Sequence, residues 1–333
     1  MNTRRARALG AFYGLAVGDA LGMPTQSMSR SQIASRYGFI TGLLDAVADQ
    51  PIAPGMPAGS ITDDTEQAVL LARLLSAGKG KVSPTDFAEA LIAWEADMVR
   101  RGSADLLGPS TKRALALLES GVPASEAGRG GTTNGAAMRV TPIGIATPAD
   151  NLDALLDAVV ETGMVTHNTS IGIAAAAAVA AAVSAGVDGA DLATALDTGS
   201  RAAALGADRA PWSAGGDIAA RIAWAREWVR GMGTTELADA VSRVIGTSVA
   251  AQESVVAAFA LAEALGDRPY EALTLAAGLG GDTDTIAAMC GAVLGAQHGI
   301  DGLPGDVVAV VRKVNNLDLE PVVDGLLDLR GRP

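Results

Sequence analysis

The sequence predicts an all-α protein, because its composition is rich in alanine and most of the chain shows the apolar spacing of helices. Hydrophobic residues make up 49% of the chain and aromatic residues only 3%, so small side chains must fill most of the core. Residues 173–183 are almost entirely alanine, the residue with the highest helix propensity. No segment gives a convincing strand pattern, which favours a fold built from helices alone.

Twelve segments carry the helical spacing in chain order. The first contains the apolar run 8–17, the second follows the acidic residues 62–66, and the third starts at Ser83-Pro84, a typical first turn. The eleventh starts in the same way, after Asp267 and Arg268. The predicted helices are residues 4–19, 65–77, 84–100, 110–120, 152–163, 169–185, 190–204, 217–229, 235–244, 253–265, 269–277 and 285–298.

The chain is predicted to form one compact domain covering residues 1–333. A chain of 333 residues is long enough to bury about three quarters of its unfolded surface. Glycine and proline occur at turns between the predicted helices, and we find neither a tandem repeat nor a low-complexity linker. The sequence does not predict an oligomeric state.

The net charge bears on which molecules the protein can bind, and the cysteine content bears on its cellular compartment. A formal net charge of −12 argues against a nucleic-acid surface, and basic residues cluster only at Arg4, Arg5 and Arg7. The single cysteine, Cys290, cannot form an intrachain disulfide, which fits a reducing compartment. We therefore expect a cytoplasmic protein without a nucleic-acid partner.

Two segments superficially resemble membrane or export signals. The arginines near the start precede an apolar stretch, but Asp19 follows within that stretch and argues against a signal peptide. Residues 171–187 are mostly alanine, with Ser184 and two glycines, and are too weakly apolar for a membrane span. The sequence predicts a buried central helix here and no membrane partner.

Two acidic segments each come directly before a helix. The upstream segment supplies Thr62, Asp63 and Asp64, and the downstream segment supplies Asp282, Asp284 and Thr285 after a glycine pair. These side chains offer only hard oxygen donors, the ligands that favour Mg²⁺, Mn²⁺ or Ca²⁺ over zinc or copper. The pattern suggests two halves of one cation site.

Helix capping is the alternative explanation of both acidic segments. Aspartate and threonine at helix starts accept hydrogen bonds from free backbone N–H groups and complement the helix dipole. A cap needs only one such oxygen, whereas here each segment holds two aspartates that would repel each other without a cation. Glycines 280 and 281 would also let the backbone approach a ligand closely.

Four other polar segments between helices could form a cleft: residues 18–26, 58–61, 128–139 and 166–169. Residues 128–139 combine glycines with Arg129, which could cradle a diphosphate, although a glycine-rich turn without a ligand would look similar. His167 is predicted to start an apolar helix. It could therefore be a capping or core histidine as well as a pocket residue.

Five ordered motifs together resemble the ADP-ribosylglycohydrolase family, which includes the hydrolase that restores ADP-ribosylated dinitrogen reductase. The motifs are GLAVGDALGMPTQ, GSITDDTEQAVLLA, TTNGAAMR, THNTS and AAGLGGDTDTIAAMCGAVLGAQHG, and the resemblance runs in register from about residue 8 to about residue 300. It implies a compact orthogonal helical bundle, a centre of two Mg²⁺ or Mn²⁺ ions, and ADP-ribose or an ADP-ribosylated molecule as substrate.

The resemblance also assigns roles to individual residues. It implies that Thr62, Asp63, Asp64, Asp282, Asp284 and Thr285 hold the two cations. It places His167 beside the substrate ribose and the 134–139 loop along the ADP-ribose pocket. The predicted substrate contacts are Gln26, Gly130, Gly131, Thr133, Asn134, Gly135, Met138 and His167.

One position departs from the family pattern. Many members carry a glutamate where this chain has Gln26, and glutamine cannot transfer a proton at neutral pH. Proton transfer is then left to a water held by the cations or to another carboxylate, for which Asp105 is a candidate. The predicted catalytic residues are Asp63, Asp64, Asp105 and Asp284, and removal of Gln26 is expected to leave hydrolysis of N-linked or small ribosyl substrates largely unchanged.

Two further functions remain open at this point. The enzyme could act on a small ribosylated metabolite or nucleoside-like compound, which its acidic surface fits. Alternatively, the chain could bind ADP-ribose without catalysis, for which Gln26 is the only indication.

Overall fold

A computed structural model of the protein describes residues 3–101 and 107–331. Within these ranges the backbone forms α-helices, three short 3₁₀ helices, one π-helical turn at Val241–Ile245 and connecting turns, and the only extended pairing is a bridge between Thr133 and Ala250. The helices are α1 Thr3–Gly22, α2 Arg30–Tyr37, α3 Asp63–Ala77, α4 Pro84–Arg100, α5 Pro109–Glu119, α6 Ala124–Ala127, α7 Gly135–Met138, α8 Thr141–Ala146, α9 Leu152–His167, α10 Ser170–Asp188, α11 Leu192–Ala207, α12 Ile218–Val229, α13 Thr234–Ala240, α14 Ala251–Ala264, α15 Pro269–Ala277, α16 Thr283–His298, α17 Gly305–Val314 and α18 Glu320–Arg330. The all-α prediction is confirmed.

Helices α1 and α16 pack antiparallel with their backbones in contact. A methyl group on Gly14 would lie 2.0 Å from the carbonyl oxygen of Gly291, and one on Gly291 would lie 2.1 Å from the carbonyl oxygen of Gly14. The same close approach repeats one turn further on, where a methyl group on Gly18 would meet the Ala287 carbonyl at 2.1 Å. This seam brings the end of α1 beside the start of α16, where the downstream aspartates lie.

The alanine-rich helix α10 lies in the core, as the sequence predicts. It is long and apolar enough to cross a membrane by length and composition alone, but 94% of that stretch is buried inside the protein. The Thr169 side chain caps the helix by accepting a hydrogen bond from the Gly172 backbone at 3.0 Å. Burial of its small side chains lets α8, α9, α11 and α16 pack closely around it.

All twelve predicted helices are present, with ends within about four residues of those predicted. The prediction missed α2, α17, α18 and the short helices α6 to α8. Helix α2 buries only Ile33, and its start is fixed by a capping box between Ser29 and Gln32, so it has almost no apolar pattern. Whether the chain forms a single domain stays a prediction.

Candidate functional site

Aspartates from three helices meet where α1 ends and where α3 and α16 begin. Asp63 and Asp64 occupy the first turn of α3, and Asp284 occupies the first turn of α16; all three are buried. Asp64 Oδ2 lies 3.2 Å from the Thr62 hydroxyl and 3.3 Å from the Thr285 hydroxyl. The two acidic segments, 221 residues apart, therefore share one site.

Asp19 belongs to the same cluster and was not predicted as a site residue. Its carboxylate accepts hydrogen bonds from the Thr62 backbone at 3.0 Å and hydroxyl at 2.8 Å, and from the Thr65 backbone at 3.1 Å and hydroxyl at 2.5 Å. These bonds hold the start of α3 against α1. The sequence signal was an aspartate within the apolar run of α1, because a carboxylate that such a run buries requires polar partners.

Capping does not explain the two acidic segments. Thr62 and Asp282 occupy the N-cap positions of α3 and α16, yet neither side chain accepts a capping hydrogen bond from its helix. Asp282 instead accepts a short hydrogen bond from the Asn134 side chain. The side chains at the two N-cap positions thus bond to neighbouring segments, Thr62 to Asp19 and Asp282 to Asn134.

The carboxylates of this cluster are poorly compensated. Asp64 Oδ1 and Asp284 Oδ1 are buried and have no hydrogen-bond partner among the described residues. Burial, followed by the charges of the neighbouring aspartates, raises the pKa of Asp63, Asp64 and Asp284 well above the ordinary value. Unpartnered anionic oxygens of this kind fit a hard divalent cation, which would satisfy the lone pairs and offset the repulsion.

Within the described ranges, no group of three or more histidine, cysteine, aspartate or glutamate side chains already has a metal-binding arrangement. The residues that fit a cation here include two threonine hydroxyls, Thr62 and Thr285, beside the aspartates. Thr62 has one proton, which its shorter contact gives to Asp19, so its remaining lone pairs are free to bind a cation. The donor set fits Mg²⁺ or Mn²⁺ by its chemistry.

The glycine pair before Asp282 serves the backbone turn. Gly280 and Gly281 have φ values of +81° and +79°, and a methyl group on Gly281 would lie 2.2 Å from the Thr247 carbonyl oxygen. The Asp282 N–H also donates to that carbonyl at 2.7 Å. The close approach is therefore to Thr247 and to residues 28–30, and it fixes the direction in which the downstream aspartates leave the turn.

A cavity of about 200 Å³ opens beside the acidic cluster. Its wall combines residues from the cluster with residues from the 133–138 loop and from the segments after α1 and before α5. The lining residues are Gln26, Ser27, Ile52, Asp63, Leu107, Gly108, Pro109, Thr111, Thr133, Asn134, Gly135, Met138, Val249, Asp282, Asp284 and Thr285. Five of the predicted substrate residues thus share a cavity with the predicted ligands.

Three predicted substrate residues lie behind the cavity wall. A methyl group on Gly130 would meet the Arg113 guanidinium at 2.2 Å, and one on Gly131 would meet the Thr166 carbonyl at 2.1 Å, so both glycines face protein. Arg129 forms an exposed ion pair with Glu126 at 2.9 Å and does not form part of the wall. The predicted catalytic residue Asp105 lies outside the described residues.

His167 ends helix α9, and the prediction that it starts a helix was wrong. Two residues separate it from α10, whose cap is Thr169. The imidazole is fully buried behind the cavity wall. The Thr133 hydroxyl lies 2.9 Å from its Nε2, and a methyl group on Gly135 would lie 2.8 Å from the ring. Burial, with the nearby charge of Arg139, lowers the pKa of His167 well below its usual value, so the ring is neutral.

The sequence prediction placed Arg139 in the 134–139 loop along the ADP-ribose pocket, but its side chain is buried and is not part of the cavity wall. Its buried neighbour Gln67 was not predicted as a site residue. The Arg139 guanidinium donates to Gln67 Oε1 at 2.9 Å and lies over the Phe87 ring at 5.1 Å from its centroid. Burial lowers the pKa of Arg139 to about 10, which leaves it charged at neutral pH.

The fold and the site define an all-α protein whose acidic, oxygen-lined cleft lies at helix starts, and comparison with known proteins gives its family. The family model described as ADP-ribosylglycohydrolase matches residues 1–333. The chain belongs to this family of glycosidic-bond hydrolases and is an enzyme of that class. The family is generally metal-dependent and hydrolyses ADP-ribose linkages.

Individual relatives support this assignment. The chain is 34% identical to the uncharacterized protein YegU of Escherichia coli K12, over 97% of each chain. It is 27% identical to the ADP-ribosyl-[dinitrogen reductase] glycohydrolase of Rhodospirillum rubrum, over 98% of this chain and 97% of that one. A solved structure of an ADP-ribosylglycohydrolase-related protein complex matches with a TM-score of 0.67 and 25% identity, over 99% of each chain.

Proposed function

We propose that this enzyme hydrolyses the glycosidic bond between ADP-ribose, or a related ribosyl group, and an acceptor such as a modified protein side chain, with two Mg²⁺ or Mn²⁺ ions. The observation that carries the proposal is the pair of buried, unpartnered oxygens Asp64 Oδ1 and Asp284 Oδ1 beside a polar cavity. The family and its Rhodospirillum member support a modified protein as the source of the acceptor.

The proposed cation ligands are Thr62, Asp63, Asp64, Asp282, Asp284 and Thr285. When bound, the cations would polarise ribose hydroxyls and lower the pKa of an associated water. Asp282 is held by Asn134 of the 133–138 loop, so this loop and the acidic cluster keep a fixed relative position. Such preorganisation lets the chain hold the ribosyl group at a defined distance from the acidic residues.

The charge of the cavity suits the expected transition state. A glycosidic bond to ribose breaks through a positively charged, oxocarbenium-like state. Asp63, Asp282 and Asp284 line the cavity, and carboxylates fixed around developing positive charge lower its energy. Asp63 and Asp284 are also placed to accept a proton from an attacking water, because both reach the cavity surface.

The acceptor is best identified with a panel of substrates. Release of ADP-ribose or ribose would be measured from arginine-linked, serine-linked and O-acetyl ADP-ribose and from a nucleoside, with Mg²⁺, with Mn²⁺ and with chelator. We expect cation-dependent release from at least one protein-linked substrate. The cavity of about 200 Å³ is small for a ligand site, so a small ribosylated metabolite is the second candidate.

Two variants control the panel assay. Asp64→Asn removes a charge from the cluster, while Asp150→Asn removes one from an exposed position outside it. We expect the first to abolish release and the second to leave it unchanged. ADP-ribose binding without release from any substrate would identify a silent binding protein, and undiminished turnover in chelator would contradict the role given to the cations.

A further inference from the structure

Arg139 links the two sides of the site through neutral side chains. Its guanidinium is 1% exposed, and it donates from Nη1 to Gln67 Oε1 at 2.9 Å and from Nη2 to Thr166 Oγ1 at 2.6 Å. A guanidinium can only donate hydrogen bonds. Both partner oxygens must therefore act as acceptors, which constrains the hydrogen bonds that Gln67 and Thr166 make with their other neighbours.

The direction on the substrate side follows from counting protons. Thr166 Oγ1 accepts from Arg139, and its only other partner within the described part of the chain is His167 Nδ1 at 2.7 Å. A hydroxyl has one proton and two lone pairs, and a buried hydroxyl proton without an acceptor is costly. Because the described residues offer the Thr166 proton no other acceptor, we assign it to Nδ1. His167 is neutral, and its single ring proton must then lie on Nε2, from which it is donated to Thr133 Oγ1 at 2.9 Å.

Thr133, the last residue in this series of hydrogen bonds, faces the cavity. Thr133 Oγ1 accepts from His167, so the hydroxyl proton of Thr133 is left to be donated elsewhere. Thr133 is part of the cavity wall, which places that proton where an oxygen of a bound ligand can accept it. If the hydrogen bonds ran in the opposite direction, Thr133 would present its lone pairs to the cavity and would favour a hydrogen-bond donor on the ligand.

The direction on the cation side is fixed in the same way. Gln67 Oε1 accepts from Arg139, so the amide nitrogen of Gln67 is turned toward Asp63, and the Nε2 to Oδ2 distance is 3.4 Å. One buried guanidinium thus orients Asp63 through Gln67, and the Thr133 hydroxyl through Thr166 and His167.

We propose that Arg139 is a positioning residue which, through Thr166, holds the proton of His167 on Nε2 and so makes Thr133 a hydrogen-bond donor to an oxygen of the bound ribosyl group. The proposal rests on the proposed function for the identity of the ligand. The order of the hydrogen bonds itself concerns the free protein and can be measured without substrate, cation or turnover.

Nitrogen NMR tests the order directly, because the chain has only two histidines. His298 is exposed, bonds to the Gly266 carbonyl and lies outside the site, so H298Q protein labelled with ¹⁵N-histidine gives signals from His167 alone. We expect one neutral tautomer with the proton on Nε2. In Thr166→Val the Nδ1 resonance should move toward that of an unbonded ring nitrogen, and Thr166→Ser should restore it.

Ligand affinity tests the consequence for the cavity. The dissociation constant of ADP-ribose would be measured by calorimetry with Mg²⁺ present. Loss of one hydrogen bond should weaken binding about 3- to 10-fold in Thr133→Val, and Thr133→Ser should bind as the parent does. Thr166→Val should show part of the same loss, because it frees His167 and Thr133 to reverse their hydrogen bond.

The outcomes separate this inference from the proposed function. A proton on Nδ1 in the parent protein, or an Nδ1 resonance unmoved by Thr166→Val, would overturn the hydrogen-bond order even in an active hydrolase. Unchanged affinity in Thr133→Val would overturn the donor role. Conversely, the expected tautomer in a protein that releases no ADP-ribose would leave the hydrogen-bond order standing while the proposed function fails.

Discussion

Single side chains decide what the cavity can recognise, and Gln26 shows this most clearly. From the sequence its loss is expected to matter little, because an amide cannot transfer protons. In the structure Gln26 is 6% exposed and lines the cavity, and its Nε2 has no hydrogen-bond partner among residues 3–101 and 107–331. A buried amide donor without a partner is costly unless a ligand supplies an acceptor.

We therefore expect Gln26→Ala to raise the KM for the best substrate about 2- to 10-fold while kcat changes less, because one hydrogen bond to the ligand is lost. Steady-state kinetics on that substrate would measure both constants. Gln26→Glu, which keeps the size but replaces the donor by a carboxylate, is the matched control and should not restore KM. Unchanged kinetics in Gln26→Ala would return the residue to the dispensable role inferred from sequence.

Substitution of Asp64 should affect cation binding without lowering the stability of the fold. Asp64→Asn removes one of several repelling carboxylates, so the cation-free variant should unfold at the same temperature as the cation-free parent or higher. Addition of Mg²⁺ or Mn²⁺ should raise the unfolding temperature of the parent, because binding to the native state stabilises it, and should fail to do so in the variant. Circular dichroism would follow both, and an equal cation response would remove Asp64 from the ligand set.

Helix pairs decide where the acidic residues lie, and the α1 and α16 pair matters most. Their glycines allow backbone contact along the seam, and this contact places Asp19, near the end of α1, beside the start of α16. The positive φ values of Gly280 and Gly281 then turn the chain into α16. The geometry of the site thus depends on residues that cannot contact a ligand.

Gly14→Ala should destabilise the protein by about 1–3 kcal/mol, because its methyl group would lie 2.0 Å from the Gly291 carbonyl oxygen and the helices would have to separate. Chemical denaturation would give the change in the free energy of unfolding. The control is Gly305→Ala, at the first position of α17, where a methyl group would meet no atom within 4 Å. Equal stability of the two variants would mean that the seam adjusts without strain.

At the scale of the whole molecule, the buried acidic cluster couples stability to pH. Burial raises the pKa of Asp19 to about 6 and that of Asp63, Asp64 and Asp284 well above the ordinary value. A pKa raised by folding contributes stability at low pH that is lost as the pH rises through the folded value. Exposed aspartates with lowered pKa, such as Asp49, act in the opposite direction but are screened by solvent.

In the presence of a chelator, the protein should therefore unfold at a higher temperature near pH 5 than near pH 8, by on the order of a few degrees. Addition of Mg²⁺ or Mn²⁺ at pH 8 should recover most of the difference, since the cations offset the ionised carboxylates. Thermal denaturation at both pH values would measure this. If the cation-free protein were more stable at pH 8, the negative charge of the acidic cluster would have to be compensated by groups other than cations.

The sequence by itself determined the helices and the candidate ligands. Alanine content and apolar spacing act over a few turns, so twelve helices could be placed to within about four residues. The acidic residues at the starts of α3 and α16 were also evident, because a helix start is defined by local residues. Helix α2 escaped detection because its stability depends on one capping box and one buried isoleucine.

Only the tertiary structure decided which polar residues meet. Asp19 joins the cluster across 43 residues through bonds to Thr62, and His167 lies behind Thr133 instead of on the cavity surface. Gly130 faces Arg113, although the glycine-rich composition of residues 128–139 suggested a phosphate-binding loop. Such contacts depend on how helices pack, and a pattern along the chain constrains only neighbours within a few turns, so long-range partners and the burial that shifts their pKa values could not be predicted from it.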